Sequence, residues 1–212
     1  MARWPADPLR LALAPAPTDL GRWLADQPGT GLRIALTVAD VWIRYVVAVW
    51  PRGLWRHSER ESLARLRLRD IYGREEGDWP LACSGWRARR SVVAAVDPAV
   101  LAAVNAWAVE RGHVVTTLRP AWADAVQRRR RSLTARTGAL ARLADGRLTV
   151  GVWDPMGWLA VRSLVASHAL PESEIRRWIG QQAAAGVCYC LGWRSATPEV
   201  GGWRFANLVE EP

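Results

Sequence analysis

Residues 32–49, LRIALTVADVWIRYVVAV, are the most informative stretch of the chain for its architecture. The segments Leu32–Val38 and Val41–Val49 are rich in Val, Ile and Leu, and they predict two strands that form a hairpin around Ala39-Asp40. In the second segment the residues on both faces are mostly apolar. Strands of that kind are typical of a sheet covered on both sides, so we expect a layered α/β protein.

Capping residues mark the ends of two predicted helices. Ser58 and Glu61 have the spacing of a capping box at the start of a helix. Asp97, Pro98 and Gly112 stand where an N-cap, a first-turn proline and a C-terminal glycine are expected for another helix. Further strands are predicted near 79–85, 90–96, 113–118, 139–143, 148–153, 158–165, 187–191 and 203–209, and further helices at 18–27, from 120 and from 171.

The order of predicted elements begins again after Gly138. Residues 139–165 predict a three-stranded meander that turns at Asp145-Gly146 and at 154–157, and a helix and a strand follow it. The sequence therefore predicts a Pro- and Ala-rich N-terminal segment at 1–30, a first half at 31–135 and a second half at 136–212.

The charge of the chain is carried by one residue type, because all 29 basic residues are arginine and the formal net charge is +9. With 50% apolar residues, the 212-residue chain is too hydrophobic to be disordered. Its positive charge favours acidic partners such as nucleic acid or a phospholipid surface, unless it is a solvated surface with no dedicated partner. The densest run, Arg128, Arg129, Arg130 and Arg131, is either an anionic-surface contact or a solvated helix end.

The sequence contains no recognisable catalytic, cofactor-binding or metal-binding motif. His57, His113 and His168 lie beside no nucleophile or ligand pattern, so we interpret them as structural. Three cysteines exclude a disulfide framework, and we expect them to be reduced. No apolar segment is long enough to span a membrane and no secretory signal is evident, so we expect a cytoplasmic protein.

An ordered set of short phrases resembles a known family. Leu36–Tyr45 followed by Val49-Trp50-Pro51, and later Val96-Asp97 and Leu118-Arg119-Pro120, are similar to the element order of actin-like assembly proteins. These are the PilM proteins of type IV pili and the cytoplasmic domains of the GspL proteins of type II secretion systems. The resemblance covers residues 32–192. It implies an actin-like, ribonuclease H-like α/β fold, with two lobes of mixed sheets and flanking helices.

The resemblance also implies that phosphate would be held by two turns, each after the first strand of one half, as in active actin-like ATPases. Glycine lets the backbone of such a turn approach the phosphates, and aspartate positions Mg²⁺ and water. Here the first turn, residues 37–40, has no glycine, and the second, Asp154–Gly157, has Pro155, which lacks an N–H. We therefore expect no cofactor, no ATP hydrolysis and no enzymatic activity.

The function implied by the resemblance is that of a non-enzymatic cytoplasmic scaffold, peripheral to the inner membrane, in a type IV pilus-like or type II secretion-like platform. Its expected partner is the cytoplasmic tail of a bitopic inner-membrane protein. Trp42, Arg44 and Trp50 are of the types that dominate interfaces, so we predict that they bind this tail unless they belong to the core. The alternatives are a nucleotide-binding actin-like ATPase and an arginine-rich nucleic-acid-binding protein, although no DNA-binding module accompanies the arginines.

Overall fold

The computed structural model of the chain describes residues 9–12, 20–27, 29–54, 56–73, 78–84, 89–166, 172–193 and 199–208. Its helices are α1 (Leu20–Ala25), α2 (His57–Tyr72), α3 (Pro98–Arg111), α4 (Ala121–Arg128) and α5 (Glu172–Gln182). Its strands are β1 (Leu9–Ala12), β2 (Arg33–Val38), β3 (Ile43–Val49), β4 (Leu81–Cys83), β5 (Arg90–Val96), β6 (Val114–Pro120), β7 (Gly138–Ala144), β8 (Arg147–Asp154), β9 (Gly157–Val165), β10 (Gly186–Leu191), β11 (Glu199–Val200) and β12 (Trp203–Asn207). Residues 18, 85, 168, 171 and 209, which the predictions include, lie outside the described residues.

The strands form three sheets. Strands β1, β2 and β6 make a parallel sheet, while β3, β5 and β4 make an antiparallel one in that order. The third sheet has six strands in the order β11-β12-β10-β7-β8-β9. Within it β12, β10 and β7 are parallel, and β7, β8 and β9 form the predicted antiparallel meander. The predicted mixed α/β architecture is therefore confirmed.

The hairpin predicted for residues 32–49 is wrong, although both of its strands exist. Strand β2 pairs with β1 and β6, whereas β3 pairs with β5 in another sheet. A short 3₁₀ turn, Asp40–Trp42, separates them, with φ of −58° at Ala39. A two-residue hairpin needs residues that accept positive φ, which Ala39-Asp40 does not supply. The apolar pattern identified the strands correctly but carried no information about which strands they pair with.

Helix α3 begins and ends where its capping residues predict. The Asp97 carboxylate accepts a hydrogen bond from the Ala99 N–H at 2.8 Å, and Pro98 is the first residue of the helix. Gly112 follows with a left-handed φ of 65°, which costs glycine little. The strand–helix–strand order around α3 therefore follows from the sequence.

Helix α2 begins differently from the prediction. The capping box at Ser58 is wrong, because the helix starts at His57 and the N-cap residue Arg56 makes no side-chain capping hydrogen bond. The Ser58 carbonyl instead accepts a hydrogen bond from the Ser62 hydroxyl at 2.9 Å. A serine and a glutamate three residues apart occur inside helices as well as at their N-termini. The spacing alone therefore does not identify the first residue of the helix.

The six-stranded sheet is covered by α5 on one face. Cys188 and Cys190 point to that face and pack with Ile175 and Ile179 of α5, whereas Tyr189 packs into the core shared with β2 and β3. The largest hydrophobic cluster thus contains residues from both predicted halves, and β9 lies against β3 and β5. The boundaries at 30 and 135 stay a prediction. No helix within the described part of the chain is long and apolar enough to cross a membrane.

Candidate functional site

A groove of about 700 Å³ lies between the antiparallel sheet, helix α4 and the start of β9. Its apolar lining includes Val92 from β5, Trp122 and Val126 from α4, and Trp158 from β9. A smaller hollow of about 260 Å³ shares Val126 and Trp158 with the groove and extends it towards Leu133. Concave, mostly apolar surfaces with a few polar groups are the usual form of binding sites. We call this surface the α4 groove.

Trp122 forms a rigid wall of the α4 groove. Its side chain is 1% exposed, and its indole Nε1–H donates to the Leu140 carbonyl at 3.1 Å. Edge-on contacts hold the ring against Tyr45 and Trp158, with centroid distances of 5.6 and 5.1 Å. Gly151 of β8 lies directly beneath the ring, where a Cβ atom would be 2.6 Å from Trp122 Cη2. The groove wall therefore depends on the absence of a side chain at this position.

The rim of the α4 groove carries an excess of positive charge. Arg90 pairs with Asp154 at 3.1 Å, which links β5 to the end of β8. Arg119 lies 3.5 Å from Asp124, and Arg130 lines both hollows. Within the described ranges Arg130 forms no ion pair. Arg130 is exposed, so its guanidinium adds a positive charge at the rim of the groove.

Asp40 is a buried link between the elements around the α4 groove. Its carboxylate accepts hydrogen bonds from the Tyr45 hydroxyl at 2.6 Å and from the Trp122 backbone N–H at 3.1 Å, and it lies 3.7 Å from Arg142. Burial raises the pKa of Asp40, which these partners partly offset. Burial, together with the adjacent Asp40 charge, raises the pKa of Tyr45 well above its usual value. The predicted first-turn aspartate thus has a structural role that the sequence did not reveal.

The three residues predicted to bind a partner do not form one surface. Trp42 is 8% exposed and Trp50 is 4% exposed, and the Trp50 indole donates to the Ser91 hydroxyl at 3.0 Å. Arg44 is half-buried, with its guanidinium 5.1 Å from the centre of the Trp79 ring. The packing of the two tryptophans is that of core residues, and the partner-binding role of all three stays a prediction.

The arginine run 128–131 lies at the end of α4 and in the turn after it. Arg128 pairs with Asp124 of the same helix at 2.6 Å, Arg129 is half-buried at the C-cap, and Arg131 is exposed. Arg128 and Arg130 are exposed as well, and Arg130 also lines the groove. Its contact with an anionic surface stays a prediction.

The predicted second phosphate turn, Asp154–Gly157, does not follow the first strand of the six-stranded sheet in chain order. Residues Asp154–Gly157 connect the second and third strands of the six-stranded sheet, β8 and β9, and the Asp154 carboxylate accepts from the Met156 N–H at 2.7 Å. The turn after the first strand, β7, is Asp145-Gly146, with φ of 52° and 67°. Pro155 therefore says nothing about phosphate binding at that position. The departure from the ATPase pattern rests on the first turn alone.

Several solved structures resemble this one. A Bacteroides thetaiotaomicron protein with an actin-like ATPase fold and unknown function aligns with a TM-score of 0.52 at 10% identity, over 77% of this chain and 61% of that one. The cytoplasmic domain of EpsL, an inner-membrane component of the Vibrio cholerae type II secretion system, aligns with a TM-score of 0.54 at 15% identity, over 90% and 73%. The PilM–PilN type IV pilus biogenesis complex aligns with a TM-score of 0.53 at 15% identity, over 74% and 62%.

These comparisons concern the fold. No protein-family model matches the chain, and no curated protein sequence matches it. The chain spans 61% and 62% of the length of two of the three structures. The predicted actin-like fold is confirmed, and so is the predicted resemblance to structures from type II secretion and type IV pilus assembly. The chain has an actin-like α/β fold, shared with proteins of type II secretion and type IV pilus biogenesis.

Proposed function

We propose that the chain is a non-enzymatic scaffold of a type IV pilus-like or type II secretion-like platform, and that the α4 groove binds the cytoplasmic tail of a bitopic inner-membrane protein. The observation that carries this proposal is the groove itself, apolar along α4 and β5 and positive at its rim. The structural neighbours support it, since one is a cytoplasmic domain of a secretion-system component and another is the PilM–PilN complex.

The lining of the α4 groove defines the chemistry of the tail. Ala123, Val126 and Trp158 are partly exposed in the groove and favour two or three apolar side chains. Arg130 favours a carboxylate beside them. A groove of about 700 Å³ accommodates a short extended segment rather than a folded domain. So small a contact gives an affinity of about 1–100 μM, because ordering the tail offsets much of the gain.

The proposal that the scaffold lacks ATPase activity rests on the first turn. Ala39 stands where a phosphate turn needs glycine, and the Asp40 carboxylate is occupied by Tyr45 and Trp122. Positioning Mg²⁺ with Asp40 would require these buried hydrogen bonds to break. Nucleotide binding is the second candidate function, and the glycine-containing turn Asp145-Gly146 is the observation that favours it.

The proposed test is a titration of a fluorescent peptide with the sequence of the tail encoded beside this gene. Ala82 is an exposed residue of β4 that lines the groove, so Ala82→Trp should fill it and weaken binding about tenfold or more. Ala102→Trp, at an exposed position on α3, is the matched control and should leave the affinity unchanged.

The same titration separates the groove from the residues predicted from the sequence. Arg44 does not line the α4 groove, so Arg44→Glu should leave tail binding intact if the groove is the site. Loss of binding in Arg44→Glu together with normal binding in Ala82→Trp would assign the tail to the Arg44 surface instead. No binding by the unaltered protein at about 100 μM would remove the scaffold proposal's main support.

A further inference from the structure

Helix α3 is apolar on all of its sides, which is unusual for a helix at the surface of a protein. No charged residue occurs between Asp97 and Glu110, where the sequence is PAVLAAVNAWAV and includes one amide side chain, Asn105. Surface helices normally carry charged or polar residues on the side that faces solvent, whereas helices that are apolar all round are normally buried. The sequence of α3 is therefore that of a helix that is covered on both sides.

The described part of the chain covers one side of α3. The side that faces the main core is buried, and it includes Val100, Val104, Trp107 and Ala108. The opposite side is exposed, and it includes Ala99, Ala102, Ala106 and Val109. Val109 is 82% exposed, and Val114, which follows the helix at the start of β6, is 47% exposed. We call this exposed apolar side the α3 face.

The charge of the chain limits what can cover the α3 face. A formal net charge of +9 makes two copies of the chain repel each other, so they can associate only through a surface that carries no excess of arginine. The α3 face is such a surface, because its residues are uncharged and lie in one row along the helix.

The charges at the ends of α3 are complementary in one arrangement of two copies. Asp97 precedes the helix, and Glu110 and Arg111 end it. If two α3 helices pack antiparallel with Ala102 opposite the partner's Ala106, Arg111 lies opposite the partner's Asp97. Glu110 then lies at the N-terminus of the partner's helix, where the helix dipole favours an acid. In a parallel pair each of these charges would face its own like, so charge complementarity favours the antiparallel pair.

We propose that the α3 face is the interface of a homodimer, in which two α3 helices pack antiparallel about a two-fold axis. Both copies use the same surface, so the contact closes on itself and does not extend into a filament. One pair of short helices buries less than the roughly 1,600 Å² of a standard interface, so we expect a dissociation constant of about 10–100 μM. The dimer does not depend on tail binding, because no residue of α3 lines the α4 groove.

The test is sedimentation velocity of the unaltered protein at concentrations up to about 500 μM, where a dimer should predominate. Ala102→Glu and Ala106→Arg should each weaken dimerisation about tenfold or more, because each brings two charges into an apolar contact. Ala82→Glu, at an exposed position on β4, is the matched control and should leave dimerisation unchanged. Both α3 substitutions place good helix formers at exposed positions, and circular dichroism melting curves show that each variant folds.

A mixture of the Ala102→Glu and Ala106→Arg proteins tests the antiparallel arrangement. In that arrangement the introduced glutamate of one chain lies opposite the introduced arginine of the other. The mixture should therefore dimerise about fivefold more tightly than either variant alone. A monomer at about 500 μM, a dimer that survives both α3 substitutions, or a mixture as weak as its components would overturn the proposal.

Discussion

Replacing Gly151 by alanine tests how the two parts of the fold are joined at the α4 groove. The added methyl group would lie 2.6 Å from Trp122 Cη2 and 3.0 Å from Trp158 Cζ3, whereas carbon atoms normally approach to about 3.5–4.0 Å. Trp122 is 1% exposed and cannot retreat without breaking the bond from its Nε1–H to Leu140. Overpacking of a core costs about 1–3 kcal/mol, and an orphaned buried N–H costs about 1–3 kcal/mol more. We expect Gly151→Ala to lower the free energy of unfolding by about 2–6 kcal/mol.

The measurement is urea denaturation followed by circular dichroism, with Gly180→Ala as the matched control. Gly180 lies in α5 with no atom within 4 Å of an added Cβ, so the same substitution should stabilise the protein by about 0.5–1 kcal/mol. In a Trp122→Phe background the smaller ring should make Gly151→Ala much less costly, which a double-mutant cycle detects. A Gly151→Ala protein as stable as the unaltered one would show that Trp122 does not need the space left by Gly151.

Three further predictions concern other parts of the molecule. Burial lowers the pKa of His113, so protonation opposes folding: stability should be constant above about pH 6.5 and fall below it. Urea unfolding from pH 5 to 8 should show a smaller acid loss of stability in His113→Asn than in the unaltered protein; an unchanged pH profile in His113→Asn would count against this. Replacing residues 128–131 by glutamine should reduce flotation with anionic vesicles, because each arginine near the surface contributes roughly 1 kcal/mol to the free energy of membrane binding. Equal flotation of both proteins would mean that the run does not contact the anionic surface. Titration calorimetry should detect no micromolar binding of Mg-ATP, and Ala39→Gly should not restore it because Asp40 stays tied to its buried partners; tight binding by the unaltered protein would contradict this reading.

The strands, the ends of α3 and the actin-like fold could be predicted from the sequence because each depends on local pattern or on element order. Runs of Val, Ile and Leu predicted β2, β3 and β5 within one or two residues. Asp97 and Gly112 predicted the ends of α3 because capping is decided by neighbouring residues. The Asp145-Gly146 turn has positive φ at both residues, as the sequence of a two-residue hairpin requires.

The pairing of strands and the α4 groove could not be predicted because they depend on residues far apart in the chain. Asp40 contacts the Trp122 backbone 82 residues away, and nothing local to either residue marks that contact. Gly151 is the one part of the groove that the sequence indicates. An isolated glycine between Val150 and Val152 in a strand predicts that another group packs closely against the backbone there. The prediction that Trp42 and Trp50 bind the tail depends on their residue type, and tryptophan is common both in protein cores and at interfaces.

Hydrogen exchange of the protein with and without the tail peptide shows whether the α4 groove binds this partner. We expect slower exchange in peptides covering residues 78–84 and 121–131, because β4 and α4 line the groove. Peptides from α3, residues 98–111, should exchange at the same rate in both samples. Protection confined to residues 41–50, or no protection at saturating peptide, would show that the tail does not bind in the α4 groove.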